Sequence, residues 1–196
     1  ALRFSYDIRY KGNPSVPVGD KVALIGLGMT AIDAATQAKR LGAKEVTIVY
    51  RRTQAEMPST EVEVNLAKLD GCTIIWLASP KEVRGENGRV TQLICNVMEL
   101  GVPDTSGRRT PVETGETIAL DVDMVIKAAG QIPYEDLVQD NQLTHWYGKL
   151  VINENCETNI PGVFAGGDCV NGGKEVVDAV QAGKDGARAI LGFLRK

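Results

Sequence analysis

The sequence predicts an α/β fold built on a parallel sheet, and three observations predict it. The run Lys21-Val22-Ala23-Leu24-Ile25 is short and apolar without alternation from Val22, as a strand buried on both faces requires. A glycine turn, Gly26-Leu27-Gly28-Met29-Thr30-Ala31, leaves it for the alanine-rich Ala34-Ala35-Thr36-Gln37-Ala38. A second apolar run, Val46-Thr47-Ile48-Val49-Tyr50, follows. Strand, glycine turn, helix and strand within roughly thirty residues make a βαβ unit.

Each further element has its own signal. Residues 1–20 read as a connecting segment, in which Ala1 to Tyr6 begins a short element and Gly12-Asn13-Pro14-Ser15-Val16-Pro17 breaks it. The first long helix spans Ala31 to Leu41, with Gly42 as its stop. Pro58 and the capping box Thr60-x-x-Glu63 start a second helix that ends near Leu69, before Asp70-Gly71. Thr73 to Leu77 is a third strand. From Lys81 to Leu120 the pattern becomes that of an antiparallel insertion, with the turn Glu86-Asn87-Gly88 between Lys81–Arg84 and Val90–Val97. Asp104 to Arg109 is an exposed loop, and Arg108-Arg109 reads as a solvated turn rather than a phosphate site.

Met124 to Ala129 is then a strand closed by Gly130. Leu150-Val151-Ile152 and a strand ending in Phe164-Ala165-Gly166-Gly167-Asp168 come later. An amphipathic helix from about Glu175 to Leu194 carries Val176, Val177, Val180, Ala187, Ile190 and Leu194 on the face expected to be buried.

Composition narrows the function classes. The 196 residues are 43% apolar and 24% charged, with a net charge of −3. That balance disfavours a nucleic-acid partner or an anionic membrane surface. No apolar run reaches the length of a membrane span and no secretion signal opens the chain, so a cytoplasmic location is expected. The start at Ala1 suggests an excised piece or a processed product. Cys72, Cys95, Cys156 and Cys169 form no Cys-x-x-Cys pair and read as buried or semi-buried thiols. His145, the only histidine, reads as a surface or packing residue rather than a general base. No metal site and no catalytic acid, base or nucleophile is expected.

The residues with chemistry lie at two places. In the first, Gly26 permits the tight turn, Gly28 lets backbone approach a pyrophosphate, and Ala31 allows close helix–sheet contact. The helix N-terminus at Met29 and Thr30 offers free N–H groups and a positive dipole end. Arg51 and Arg52 close the second strand, where an NAD-type site places an acid for the ribose 2′-hydroxyl. A guanidinium pair there suits a 2′-phosphate, which speaks for NADPH. In the second place, Gly167 and Asp168 end a glycine-rich turn and the N–H groups near Glu175 and Val176 open a helix. That combination suits a flavin, with Asp168 towards the ribityl chain and Val176 towards the pyrimidine end.

Four strings occur in one order: Gly-Leu-Gly-Met-Thr-Ala-Ile-Asp at 26–33, Val-Tyr-Arg-Arg-Thr-Gln-Ala-Glu-Met-Pro at 49–58, Ala-Ala-Gly-Gln at 128–131, and Pro-Gly-Val-Phe-Ala-Gly-Gly-Asp at 161–168. Together they resemble the glutamate synthase small-subunit family of FAD/NADPH oxidoreductases. The same module occurs in dihydropyrimidine dehydrogenases and NADPH–ferredoxin oxidoreductase subunits. The resemblance spans about Lys21 to Ile190. It implies a Rossmann-like three-layer NADPH-binding domain over 21–128 with the antiparallel insertion, and the C-terminal part of an FAD-binding domain over 129–196. By motif position, Gly26, Gly28, Met29, Thr30, Ala31, Arg51 and Arg52 become NADPH contacts, Ala129 and Gly130 the turn beside the nucleotide, and Asp168 an FAD contact. Asp33 matches too, with a structural role.

The activity implied is hydride transfer from NADPH to FAD, with electrons passed on to iron–sulfur centres. The partners implied are the other half of the FAD domain and an iron–sulfur protein or a glutamate synthase large subunit. Self-association through uncovered apolar surface is also expected. A nucleotide-binding module without redox activity is the alternative of another class. The first half of the family's FAD site has no counterpart in the strings above, so the purified chain is expected to show no flavin absorbance in its visible spectrum. A yellow protein with stoichiometric FAD would contradict this.

Overall fold

The computed structural model describes residues 1–11, 16–104, 107, 109–130 and 142–195. Residues 12–15 of the expected breaker, Thr105, Ser106 and Arg108 of the exposed loop, and Gln131 of the third string lie outside them. The chain forms two compact units, 1–130 and 131–196.

Within the expected connecting segment the first unit carries a helix, α1 (Leu2–Lys11). The βαβ unit follows as β1 (Lys21–Ile25), α2 (Met29–Arg40) and β2 (Glu45–Tyr50). Then come α3 (Glu61–Leu69) and β3 (Thr73–Trp76). The capping box at the start of α3 forms as spelled: the Thr60 hydroxyl accepts from the Glu63 N–H, and the Glu63 carboxylate accepts from the Thr60 N–H at 2.8 Å. An antiparallel group follows, β4 (Ala78–Glu86), β5 (Arg89–Pro103) and β6 (Arg109–Asp121), before the chain returns as β7 (Met124–Lys127). Asn87 and Gly88 both take positive φ between β4 and β5, which explains why the turn needs those residue types.

The parallel sheet has the order β3-β2-β1-β7, and the antiparallel one β4-β5-β6. Period-two alternation gives each parallel strand one side chain for either face. Val22, Leu24, Val46, Ile48 and Ile126 pack with Ile32, Ala35, Ala38, Val64 and Ala67 of the helices. Ala23, Ile25, Val49, Ile75 and Val125 point the other way and pack with Ala78, Leu93, Cys95 and Leu120 of the antiparallel group. The insertion is therefore the third layer of the unit. It occupies the face that crossover helices cover in a doubly wound sheet.

One side chain ties the starts of β1 and β7 together. The Asp123 carboxylate, just before β7, accepts from the N–H groups of Asp20 and Lys21 at 2.9 Å each. Gly19 leaves the room, because a Cβ there would lie 2.1 Å from the Asp123 carboxylate.

In the second unit the hairpin β8 (His145–Trp146) and β9 (Lys149–Leu150) turns through Tyr147 and Gly148, both at positive φ. It is followed by α4 (Asp168–Asn171) and α5 (Val176–Leu194). His145 is exposed, as expected.

Three expectations are corrected. The segment before Gly166 is not a regular strand, and Phe164 makes a single isolated bridge to Glu157. The cause is local: the Val163 N–H bonds the Ile160 carbonyl and Gly162 takes positive φ, so the chain folds back in a hairpin too short for a ladder. The face of α5 expected to be buried is exposed, with Val176 at 78% and Leu194 at 73%. Its small-residue side faces the preceding loop instead: a Cβ on Gly166 would meet that of Ala182 at 3.2 Å. Cys169, unlike the buried Cys72 and Cys95, is exposed, since it sits on the one-turn helix α4 with its thiol donating to the Gly166 carbonyl.

If the antiparallel layer is core, truncating it should destabilise the first unit as any core truncation does. Leu93→Ala is expected to cost about 2–5 kcal/mol in chemical denaturation, and Val83→Ala, on an exposed position, less than about 0.5 kcal/mol. Equal small losses would contradict the three-layer packing.

Candidate functional site

In a parallel sheet all strands end on one edge, and ligands sit where the strand order reverses. Here the reversal lies between β1 and β7: the chain runs outward from β1 to β2 and β3, then returns to the other side of β1. Gly26 and Ala128 leave those two strands side by side. Gly26 has φ +112°, and a Cβ on it would stand 2.4 Å from the Ala128 carbonyl oxygen. Only glycine fits, for conformational and steric reasons together. The Gly26 N–H donates to the Val49 carbonyl at 3.0 Å and the Ala128 N–H to Ile25 at 2.8 Å, so the turn is stitched to both neighbours.

The start of α2 is backbone alone. Gly28 is its N-cap, in extended conformation, and no side chain caps it. The N–H groups of Ala31 and Ile32 turn back to the Gly28 carbonyl, whereas those of Met29 and Thr30 head the helix, where no intrahelical acceptor exists. No acid stands in the first turn to compete for the dipole's positive end. A Cβ on Gly28 would meet nothing within 4 Å, which is open space beside the helix start. Ala31, by contrast, is fully buried against the sheet. Asp33 is exposed on α2.

Arg51 and Arg52 leave β2 on this same edge. Ile25 pairs with Val49, so the arginines follow two and three residues beyond the partner of the last β1 residue. Arg51 is exposed. Arg52 is partly buried, and its Nε is out of solvent with no hydrogen-bond partner among the described residues. An orphaned donor of this kind costs about 1–3 kcal/mol, which an anion drawing the guanidinium towards itself would recover. Ala129 and Gly130 follow β7 on the edge, both exposed, with open space where a Gly130 side chain would be. The first unit thus gathers nine candidate residues, Gly26, Gly28, Met29, Thr30, Ala31, Arg51, Arg52, Ala129 and Gly130, along one sheet edge. An open cradle, free N–H groups and a guanidinium pair fit a dinucleotide with an added phosphate.

The remaining candidates belong to the second unit. Gly167 has φ +71° as the N-cap of α4, Asp168 is that helix's first residue, and Val176 opens α5. A groove of about 530 Å³ runs between the Phe164–Asp168 loop and the small residues Ala182, Gly183 and Gly186 of α5. Bare backbone, a carboxylate and small side chains along an open groove fit one part of a flavin nucleotide.

Residues outside these expectations organise the arginine turn. Thr53-Gln54-Ala55-Glu56 is a second capping box, around a short 3-10 turn. The Glu56 carboxylate accepts from the Thr53 N–H at 3.1 Å and from the Thr53 hydroxyl, and the Tyr50 hydroxyl donates to the Glu56 carbonyl at 2.6 Å. The Thr-x-x-Glu spacing was available to find it. The Thr53 hydroxyl holds the Glu56 carboxyl below its usual range, against the opposing effect of desolvation, and the positive charge of Arg109 adds to the lowering. A lowered carboxyl stabilises the fold above the ordinary glutamate range and loses that contribution as pH falls through the lowered value. In an NMR titration the Glu56 carboxyl midpoint should therefore fall below that of an ordinary glutamate, and Thr53→Val should raise it. A midpoint unchanged by that substitution would contradict the box.

The family model for pyridine nucleotide-disulphide oxidoreductases matches residues 4–183. Among curated proteins, the chain is 37% identical over 197 residues to the NADP(+)-dependent formate dehydrogenase subunit beta of Moorella thermoacetica, covering all of this chain and 28% of that one. It is 36% identical to the glutamate synthase [NADPH] small chain of Azospirillum brasilense, covering 95% of this chain and 39% of that one. The chain thus spans well under half the length of these relatives. Among solved structures, thioredoxin reductase from T. acidophilum superposes with a TM-score of 0.74 at 24% identity, over 90% of this chain and 53% of that one. Mycobacterium tuberculosis FprA in complex with NADPH gives 0.67 at 20% identity, over 89% and 52%. Sheet topology, glycine turn and sequence kinship agree: the chain belongs to the pyridine nucleotide-disulphide oxidoreductase family, with glutamate synthase small chains among its relatives.

Proposed function

We propose that this chain binds NADPH through its first unit, as the electron-entry part of a flavin-dependent oxidoreductase of the glutamate synthase small-subunit kind. The observation that carries the reading is the place of Arg51 and Arg52, one strand over from the Gly26 turn on the same sheet edge. The relatives' names support it. They differ in what lies beyond the nucleotide (formate dehydrogenase, glutamate synthase, an Fe(3+) oxidoreductase), while NADP(H) is common to all three. What those proteins share with this chain is then the part that handles the nucleotide.

NADPH supplies two electrons as a hydride from its nicotinamide, and a flavin is the group suited to accept them and pass them singly to iron–sulfur centres. The chain's own residues bind and orient. Gly26 and Gly28 let backbone lie against the pyrophosphate, and the Met29 and Thr30 N–H groups meet its charge. Arg51 and Arg52 take the 2′-phosphate by paired hydrogen bonds. Ala129 and Gly130 put only a methyl group and bare backbone on the turn beside the nucleotide. In the second unit, Gly167, Asp168 and Val176 would contact FAD, Asp168 accepting from ribityl hydroxyls. Positioning suffices as the protein's share, so no side chain need act as acid or base.

Replacing Arg51 and Arg52 together by alanine is expected to weaken NADPH binding about 100-fold and NADH binding no more than about twofold, measured by titration of each nucleotide. Equal losses for both nucleotides would overturn the reading.

A further inference from the structure

The Arg51–Arg52 turn is held at more points than a solvated loop requires. At its entry, the buried Tyr50 ring sits edge-on to Trp76, with centroids 6.0 Å apart and planes at 83°. Its hydroxyl reaches over the loop to the Glu56 carbonyl at 2.6 Å. Inside the loop, the Glu56 carboxylate binds both the N–H and the hydroxyl of Thr53. At Arg52 itself the carbonyl accepts from the Leu77 N–H at 3.2 Å. Leu77 takes φ +55°, a conformation unusual for leucine, and its own carbonyl accepts from the Met98 N–H at 2.7 Å. Such a backbone persists where its surroundings over-determine it.

Resting on the NADPH reading above, we infer that Tyr50, Thr53 and Glu56 are positioning residues that set the discrimination between NADPH and NADH. The two nucleotides differ only in the 2′-phosphate. Their common diphosphate belongs to the Gly26–Ala31 turn, whereas the side-chain hydrogen bonds of Tyr50, Thr53 and Glu56, a clasp on the arginine turn, stay within residues 50–56. Paired guanidinium–phosphate hydrogen bonds demand a fixed orientation, and a turn held in advance loses less freedom when it makes them. The clasp also removes a competitor. Glu56 is the carboxylate in the loop that follows β2, where an NAD-type site uses an acid on the ribose 2′-hydroxyl. Bound to Thr53 on two sides, it is committed elsewhere. Specificity then has an attractive half, the arginines, and a restraining half, the clasp.

The test uses the full chain with Tyr50→Phe, Thr53→Val and Thr53→Ser. Each variant is titrated with NADPH and NADH, and its thermal melting is recorded. Tyr50→Phe keeps the ring and its Trp76 contact, so the fold is preserved. Tyr50→Phe and Thr53→Val should each weaken NADPH binding about five- to tenfold and change NADH binding less than about twofold, while Thr53→Ser restores the wild-type ratio. A merely structural role lowers the melting temperature or weakens both nucleotides alike, leaving the ratio unchanged, and would overturn the inference. If instead the wild-type chain itself shows no preference for NADPH, the underlying reading fails and the positioning role with it. A wild-type preference that the clasp variants keep overturns the positioning role alone.

Discussion

The contact between the Gly26 turn and the end of β7 constrains everything at the edge of the first unit where its parallel strands end. A 2.4 Å approach between a would-be Cβ and the Ala128 carbonyl leaves no room for any side chain at Gly26. Because β1 and β7 lie that close, the reversal in strand order falls at the point where α2 begins. The helix therefore starts directly over the crevice, and its unpaired N–H groups are of the kind that suits a pyrophosphate. A larger residue would part the strands, moving the helix start and the Ala129–Gly130 turn together.

A second constraint is set by the sheet's other face. Alternation along β1, β2, β3 and β7 sends Leu24 and Ile48 to the helices and Ala23 and Val49 to the antiparallel layer. With both faces covered, β2 is held in register with β1, and the arginines are delivered one strand over from the glycine turn. The antiparallel layer also holds Leu77, and through Leu77 the Arg52 carbonyl. Packing on the side away from the helices thus reaches the Arg51–Arg52 loop, to which the proposed function gives the choice of nucleotide.

Much of this was legible in the residues. Continuous apolar runs marked the buried parallel strands, Gly42 and the Thr60 box marked helix ends, and Asn87-Gly88 marked a hairpin. Each is a local rule with a local cause. What was not legible depends on partners far along the chain. Nothing in Lys81–Leu120 says that its strands pack on the parallel sheet rather than stand apart from it. The apolar positions of α5 read as buried because amphipathic helices usually are, yet Val176, Val177 and Val180 are exposed and the small residues meet the loop. Among the site residues, glycines and arginines were visible by type and spacing. Tyr50 and Leu77 were not, since one acts through a hydroxyl reaching across a loop and the other through a backbone conformation.

The central claim is that the first unit recognises the 2′-phosphate itself. The direct measurement is calorimetric titration of the chain with adenosine 2′,5′-bisphosphate and, separately, adenosine 5′-monophosphate, ligands that carry no nicotinamide and need no flavin. Binding of the bisphosphate tighter by about tenfold or more, and weakening as salt rises, is the result expected of a guanidinium pair on that phosphate. Equal affinities for the two ligands would contradict the account.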